Sequence, residues 1–243
     1  MTIHLDCLGS GWAFSTGSYW NGWLLDRRIL LDCPAQALVH LYRLGITAAD
    51  LDLVLLTHEH DDHVSGVDAL ILDLHHRHRE ALDHRIGIAV AEGVYERLER
   101  NLDGHAHFLG RDDEAVRWFE PRDGDAFEHR DVGVEVVAMR HSVPDNGYRV
   151  RLDGGVVAYT GDTSPGDHIL RLAEGADVLI VECGGAFPGV HCSWADLREL
   201  RAELTLATAM LVTHYDATSV PDDIAGLEGL ELAVDFGRYD YGR

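Results

Sequence analysis

The sequence predicts an α/β fold in which two β-sheets pack together with helices on their outer faces, and three observations carry that prediction. Short apolar runs of strand length alternate with segments of helical spacing. The order strands, helix, strands occurs twice along the chain, which suits two layered halves. No Pro/Ser-rich linker or low-complexity tract separates the halves, so residues 1–243 read as one domain. Hydrophobic residues make up 46% and charged residues 26%, close to globular averages, and 243 residues suffice to bury a full core.

The elements follow in order. Ile3–Leu8, Gly22–Asp26 and Ile29–Leu31 are short apolar runs punctuated by Gly9-Ser-Gly11 and Asp26-Arg-Arg28, a strand followed by a hairpin. From Pro34 to Leu44, Ala37, Leu38, Leu41 and Leu44 share one helical face, and Gly45 stops the helix. Leu53–Leu56 is a buried strand that delivers the chain into a histidine cluster. Val64–Leu74 has helical spacing, and Ile86–Ala91 with Glu92–Arg100 gives another strand and helix. In the second half, Val132–Met139, Gly147–Leu152 and Val156–Tyr159 are strands, the last two joined by the turn Asp153-Gly154-Gly155. Asp177–Val181 and Met210–Thr213 are further strands, separated by a helix from about Trp194 to Leu204 that opens on the capping box Ser193-Trp-Ala-Asp196. Asp103–Arg130 is the least legible stretch.

All 20 basic residues are arginines, and 42 acidic residues bring the formal net charge to −22. Such a field repels polyanions, and no Arg-rich stripe offsets it, so extended nucleic acid is disfavoured as a partner. A genome favouring Arg and Asp codons accounts for the same composition, so charge alone does not decide the matter. Cys7, Cys33, Cys183 and Cys192 form no C-x-x-C pair and read as buried free thiols. The N-terminus lacks a basic n-region and an apolar h-region, and no run approaches the 18 or so apolar residues of a membrane span, so a cytoplasmic protein without membrane partners is expected.

The chemistry is concentrated at His58-Glu-His60-Asp-Asp62-His63, directly after Leu55-Leu56-Thr57. A helical His pair would be spaced four apart. An i, i+2 pair points to one side only on an extended or looped backbone, so these ligands sit on a strand-to-helix loop. Neutral imidazole and carboxylate suit zinc, and three protein ligands plus water define a catalytic site. Four adjacent ligand types exceed the needs of one open tetrahedral ion. Two metals and downstream ligands are therefore expected, and three candidates follow apolar runs: His141 after Val134–Met139, Asp162 after Val156–Thr160, and His214 after Ala209–Thr213. Trp12, Phe14, Tyr19, Trp20 and Trp23 cluster early and fit either core packing or an apolar pocket wall.

Thr57-His-Glu-His-Asp-Asp-His63, His141, Tyr159-Thr-Gly-Asp162-Thr and Thr213-His214 resemble, in order and spacing, the metal motifs of the metallo-β-lactamase superfamily. The resemblance implies an αββα sandwich of two mixed β-sheets with the site along one edge. It implies that His58, His60 and His141 hold one metal, that Asp62, His63 and His214 hold the other, and that Asp162 bridges them. Leu8-Gly-Ser-Gly11, Ile29-Leu-Leu-Asp32, Gly147-Tyr-Arg149, Glu182 and His191 look most like the ribonuclease Z-like phosphodiesterases. In that branch the Glu and His form a proton-donating dyad. This chain departs from it in reading Glu182-Cys-Gly-Gly and His191-Cys-Ser, and in lacking a long Gly/Pro-rich insertion resembling the arm that grips transfer RNA.

The implied activity is a dinuclear-zinc hydrolase, with manganese or iron as alternative occupants, acting on a small-molecule or short phosphodiester. Two such ions lower the pKa of a bridging water and neutralise substrate oxygens. Asp62 would orient the pair and His191, held by Glu182, would protonate the leaving oxygen, while a structural cap or core hydrogen bond is the other reading for Glu182 and for His191. Thioester, lactone or β-lactam hydrolysis on the same metals and a non-enzymatic metal-binding accessory protein are the competing functions. A homodimer is left open.

Overall fold

The strand Leu53–Leu56 shows how the layers form. Leu53 and Leu55 face the space between two sheets, whereas Val54 and Leu56 face helices, so all four are buried. A strand covered on both faces needs a continuous apolar run rather than an alternating one. Each such side chain contributes about 1.5–3 kcal/mol on leaving water.

The computed structural model describes residues 2–242 apart from 102–109, 112, 186, 206 and 225. Its strands are β1 (Ile3–Gly9), β2 (Gly22–Leu25), β3 (Ile29–Leu31), β4 (Leu53–Leu56), β5 (Ile86–Val90), β6 (Val116–Phe119), β7 (Ala126–His129), β8 (Val132–Met139), β9 (Asp145–Leu152), β10 (Gly155–Tyr159), β11 (Val178–Cys183), β12 (Ala209–Tyr215), β13 (Leu230–Leu232) and β14 (Arg238–Tyr241). The helices are α1 (Ala37–Arg43), α2 (Asp61–Val64), α3 (Val67–Asp73), α4 (Val94–Asn101), α5 (Asp167–Ala173) and α6 (Trp194–Glu203).

Two seven-stranded mixed sheets result, ordered β14-β1-β2-β3-β4-β5-β6 and β13-β12-β11-β10-β9-β8-β7. In each, one end is antiparallel and the other, beyond β3 or β10, is parallel. Trp23, Tyr148, Tyr159, Val150 and Leu211 fill the space between the sheets. One outer layer packs Leu41, Ile71 and Leu98 of the first-half helices on the first sheet, and the other packs Ile169, Leu172 and Leu197 on the second. This is the αββα sandwich expected.

Several expectations are corrected in detail. The helix expected over Val64–Leu74 divides at Ser65-Gly66, because Gly66 packs on Pro34: a Cβ there would lie 2.2 Å from the Pro34 carbonyl oxygen. The illegible stretch contains β6 and β7, with residues 102–109 and 112 outside the described residues. Strand β9 starts at Asp145, two residues before the expected Gly147. The Ser193–Asp196 capping box forms as expected. Among the described residues no helix is long and apolar enough to cross a membrane.

The ends of β3, β4, β8, β10, β11 and β12 and the start of β9 lie along one edge of the sandwich. There the sheets are joined by Asn146 N–H to the Thr57 carbonyl (2.9 Å) and by Tyr148 Oη to the Leu56 carbonyl (2.8 Å). That seam carries the site.

Candidate metal centre

After β4 the chain stays extended through His60 (φ −67°, ψ 150°), which caps α2, so His58 and His60 project together before the helix turns Asp62 and His63 inward. Arg97 of α4 fixes this loop by donating to the Glu59 carbonyl and the Asp61 carboxylate. His214 reaches the site through a bulge. The β11–β12 register pairs Glu182 with Thr213 and Cys183 with Tyr215, which leaves His214 as the extra residue with φ +51°. A bulge of this kind re-aims one side chain, and a non-glycine residue at positive φ needs surrounding contacts to hold it.

The ligand atoms converge in two sets. His58 Nε2 is 3.0 Å from His60 Nδ1, which is 3.2 Å from His141 Nε2. The first two of these rings are perpendicular to within several degrees, so their nitrogens meet edge to edge rather than by stacking. In the second set Asp62 Oδ2 lies 3.2 Å from His214 Nε2 and 3.5 Å from His63 Nε2. Asp162 stands between them. Its Oδ2 lies 3.9 Å from His58 Nε2 and 4.0 Å from His141 Nε2, while Oδ1 lies 3.3 Å from His63 Nε2 and 3.4 Å from His214 Nε2.

The donor sets fit divalent metal ions. His58, His60, His141 and Asp162 form one group whose ligand atoms lie within 4.8 Å of one another, and Asp62, His63 and His214 form another. His63 Nε2 and Asp162 Oδ1 are buried without a hydrogen-bond partner. Orphaned buried polar atoms cost free energy that a shared cation would offset. Five imidazoles and two carboxylates, with no thiolate among them, suit zinc and also harder first-row ions.

Electrostatics divide the sets. Burial holds His58 well below the usual imidazole range, as do its neighbouring imidazoles, and burial pulls His60 down and His141 to about 4. Burial also opposes the charge on His63 and His214, but Asp162 and Asp62 outweigh it and both rise. Asp162 is held well below the usual carboxylate range because His214 and His63 overcome its burial. The three imidazoles of the first set thus favour the neutral form, while His63 and His214 favour the charged form beside Asp62 and Asp162.

Two more carboxylates lie behind the ligands. Asp32, at φ +54° just after β3, accepts from His63 Nδ1 (2.7 Å), Thr57 N–H (2.8 Å) and Tyr159 Oη (2.5 Å). Asp145 Oδ2 lies 2.9 Å from His58 Nδ1. Burial, with Asp162 and Asp32 nearby, pushes Asp145 well above the usual carboxylate range. The sequence reading assigned no role to either, although Asp145 is only four residues past His141.

Glu182 and His191 meet. Glu182 Oε1 accepts from Thr163 N–H (2.9 Å), Cys192 N–H (3.2 Å) and His191 Nδ1 (3.0 Å), and His191 Nδ1 is 3.8 Å from Asp162 Oδ2. Burial lowers His191, but the Glu182 hydrogen bond and charge outweigh it and its pKa is raised. Cys192 is buried, its Sγ donates to the Thr163 carbonyl, and burial pushes its thiol far up, so it is no nucleophile.

Over the metal residues opens a pocket of about 410 Å3, walled by Trp12, Phe14, Phe187 and Val190. Trp12 and Phe14 meet edge to face at 5.1 Å, and Phe187 lies 6.2 Å from both. The early aromatic cluster thus divides. Trp12 and Phe14 form pocket wall, Trp23 fills the core between the sheets, and Tyr19 meets His40 edge to face at 4.5 Å. Phe187, which the sequence reading missed, completes the wall. His78 and His84 pair with Asp73 and Asp52, away from the metal cluster.

The comparisons agree with this geometry. The chain is 26% identical over 253 residues to the Anti-Pycsar protein Apyc1 of Paenibacillus sp. (strain J14), with 98% of this chain and 97% of that protein covered. It is 29% identical over 162 residues to ribonuclease Z of Mycobacterium bovis (strain BCG / Pasteur 1173P2), covering 62% of this chain and only 58% of that enzyme's length. The metallo-β-lactamase fold protein YhfI from Bacillus subtilis superposes with a TM-score of 0.79 at 20% identity, over 98% of this chain and 99% of its own. The family model for Anti-Pycsar protein Apyc1 matches residues 3–233, so this metallo-β-lactamase-fold chain belongs to the Anti-Pycsar protein Apyc1 family.

Proposed function

We propose that this chain is a metal-dependent phosphodiesterase that holds two divalent ions, most naturally zinc, and cleaves a small or short phosphodiester. The observation that carries the reading is the placement of Asp162, whose two oxygens face different imidazole sets at the floor of one pocket. Two ions held there would supply an activated water and neutralise charge on the phosphoryl oxygens.

The chain's own residues do the rest. His58, His60 and His141 present neutral nitrogens, while Asp62 and Asp162 bring negative charge to the second set. His191, oriented through Nδ1 by Glu182, keeps Nε2 free to protonate the departing oxygen. Trp12, Phe14 and Phe187 exclude water on one side and offer apolar faces to a planar group of the substrate. A volume of about 410 Å3 suits a small molecule, and the charge of −22 disfavours a long polyanion. The similarity to a ribonuclease Z supports phosphodiester chemistry over thioester, lactone or β-lactam cleavage.

Metal analysis combined with hydrolysis of bis-p-nitrophenyl phosphate, a thioester, a lactone and a β-lactam tests the reading. Two metal equivalents with fastest turnover of the phosphodiester are expected. Phosphodiester inactivity with fast thioester turnover overturns it.

A further inference from the structure

We propose that Asp145 is a positioning residue for one half of the metal centre: its carboxylate sets the tautomer and ring orientation of His58, as Asp32 does for His63 on the other half. The inference rests on the two-metal reading above, and concerns metal affinity rather than the substrate.

The geometry is specific. Asp145 Oδ2 lies 2.9 Å from His58 Nδ1, while the opposite nitrogen, Nε2, faces His60 and Asp162. A cation on Nε2 needs the lone pair there, so the ring proton must sit on Nδ1, 2.9 Å from Asp145 Oδ2. Thr57 Oγ1 also approaches Nδ1 at 3.0 Å, but its hydrogen is directed to Asp32, at 3.0 and 3.1 Å from the two carboxylate oxygens. It therefore offers His58 only an acceptor, and the Nδ1 proton is shared between that neutral oxygen and the Asp145 carboxyl. The same Oδ2 lies 3.3 Å from the backbone N–H of Asp162, so one oxygen touches both a ligand of the first set and the bridging residue.

A purely structural role accounts poorly for a carboxylate at this position. Asp145 is 3% exposed, two other carboxylates lie nearby, and its Oδ1 has no hydrogen-bond partner. A neutral amide could cap the Asp162 N–H without that desolvation cost. The backbone opposite is tight: a Cβ on Gly161, whose φ is +63°, would lie 2.7 Å from Thr57 Cβ and 2.9 Å from Asp145 Oδ1. Carboxylates behind metal-bound histidines raise ligand basicity, and their loss typically costs about 10–100-fold in metal affinity. The arrangement is symmetric across the sandwich: Asp32 follows β3 of one sheet, and Asp145 opens β9 of the other.

The test is zinc titration of the full chain against a chromophoric chelator, without substrate. His214→Ala leaves the His58–His60–His141 set intact, and His141→Ala leaves the Asp62–His63–His214 set intact. Adding Asp145→Ala to the first background is expected to weaken its remaining zinc about 10–100-fold, and adding it to the second to change affinity less than about threefold. Asp145→Asn, which keeps size and an acceptor oxygen, guards against misfolding and is expected to retain the same asymmetry with a smaller loss. Unchanged affinity in both backgrounds, or equal loss in both with Asp145→Asn folded, overturns the proposal. A wild-type chain that binds two zinc ions but cleaves no phosphodiester would remove the functional reading and leave these affinities standing.

Discussion

Oδ1 of Asp162 lies 3.3 Å from Nε2 of His63, yet neither buried atom forms a hydrogen bond. The fold thus holds a polar cluster that a cation would complete, and metal binding should stabilise the folded state. At free zinc about 1,000-fold above its Kd, the gain is about 4 kcal/mol. For a domain of this size that raises the thermal midpoint by about 10 °C. Calorimetry before and after chelation, with zinc restored, is expected to show that reversible shift. An unchanged midpoint in protein shown to lose its zinc would contradict the completion argument.

Asp62 is expected to matter more for turnover than for folding. It faces His63 and His214 in the pocket wall and is partly reachable from solvent, so its loss removes a ligand without opening a core cavity. Asp62→Ala should lower the metal content of the second set and reduce kcat by about three orders of magnitude, the equivalent of about 4 kcal/mol of lost charge stabilisation. Metal analysis of the purified variant beside its turnover checks both parts. Wild-type activity would remove Asp62 from the machinery.

The Glu182–His191 pair makes a signed prediction about pH. Burial lowers His191 and the Glu182 carboxylate more than reverses it, so the imidazolium persists above its usual range. Activity that needs a protonated His191 is present below its pKa and lost as pH rises through it. Glu182→Gln removes the raising charge and leaves the burial, so the alkaline limb of kcat/KM should move to lower pH. His191→Asn should cost about 100-fold or more at all pH values. An alkaline limb unmoved by Glu182→Gln would assign Glu182 to the backbone of residues 163, 184 and 192 alone, whose N–H groups it accepts.

What was legible in the sequence depended on whether identity or contact carries the information. Strands β4 and β8 have the bounds expected, because burial on both faces or strict patterning writes them into apolar runs. Strands β7 and β14 were missed because they are sheet edges, where Ala126, Glu128, Arg238 and Asp240 are exposed and the alternation is weak. Helix α5 was missed because its seven residues follow Gly166 without a side-chain cap. The seven candidate metal residues, which the structure brings together in groups that could hold metal ions, stood out because metal binding calls for particular side chains. Asp32 and Asp145 have the same side chain as many surface residues. The parallel pairing of β3 with β4 brings Asp32 to His63, 31 residues away in sequence, and the closing of the two sheets brings Asp145 to His58, 87 residues away, each within 2.9 Å in space.

The aromatic wall provides the last prediction, because it separates binding from chemistry. Phe14 and Phe187 are 66% and 48% exposed, although they are large apolar side chains beside a polar centre. Neither touches a metal-ligand atom within bonding reach, so truncating them leaves the donor sets intact. If they hold a planar part of the substrate, the loss falls on the ground state and transition state alike. One ring contact is worth about 0.5–1.5 kcal/mol beyond its area. Phe14→Ala is therefore expected to raise KM about tenfold at constant metal content with kcat within about twofold, and Phe187→Ala to act likewise. Bis-p-nitrophenyl phosphate, which carries flat rings, should show the effect, and dimethyl phosphate, which has none, should not. An equal loss on both substrates would mean that the wall serves to exclude water rather than to bind a ring.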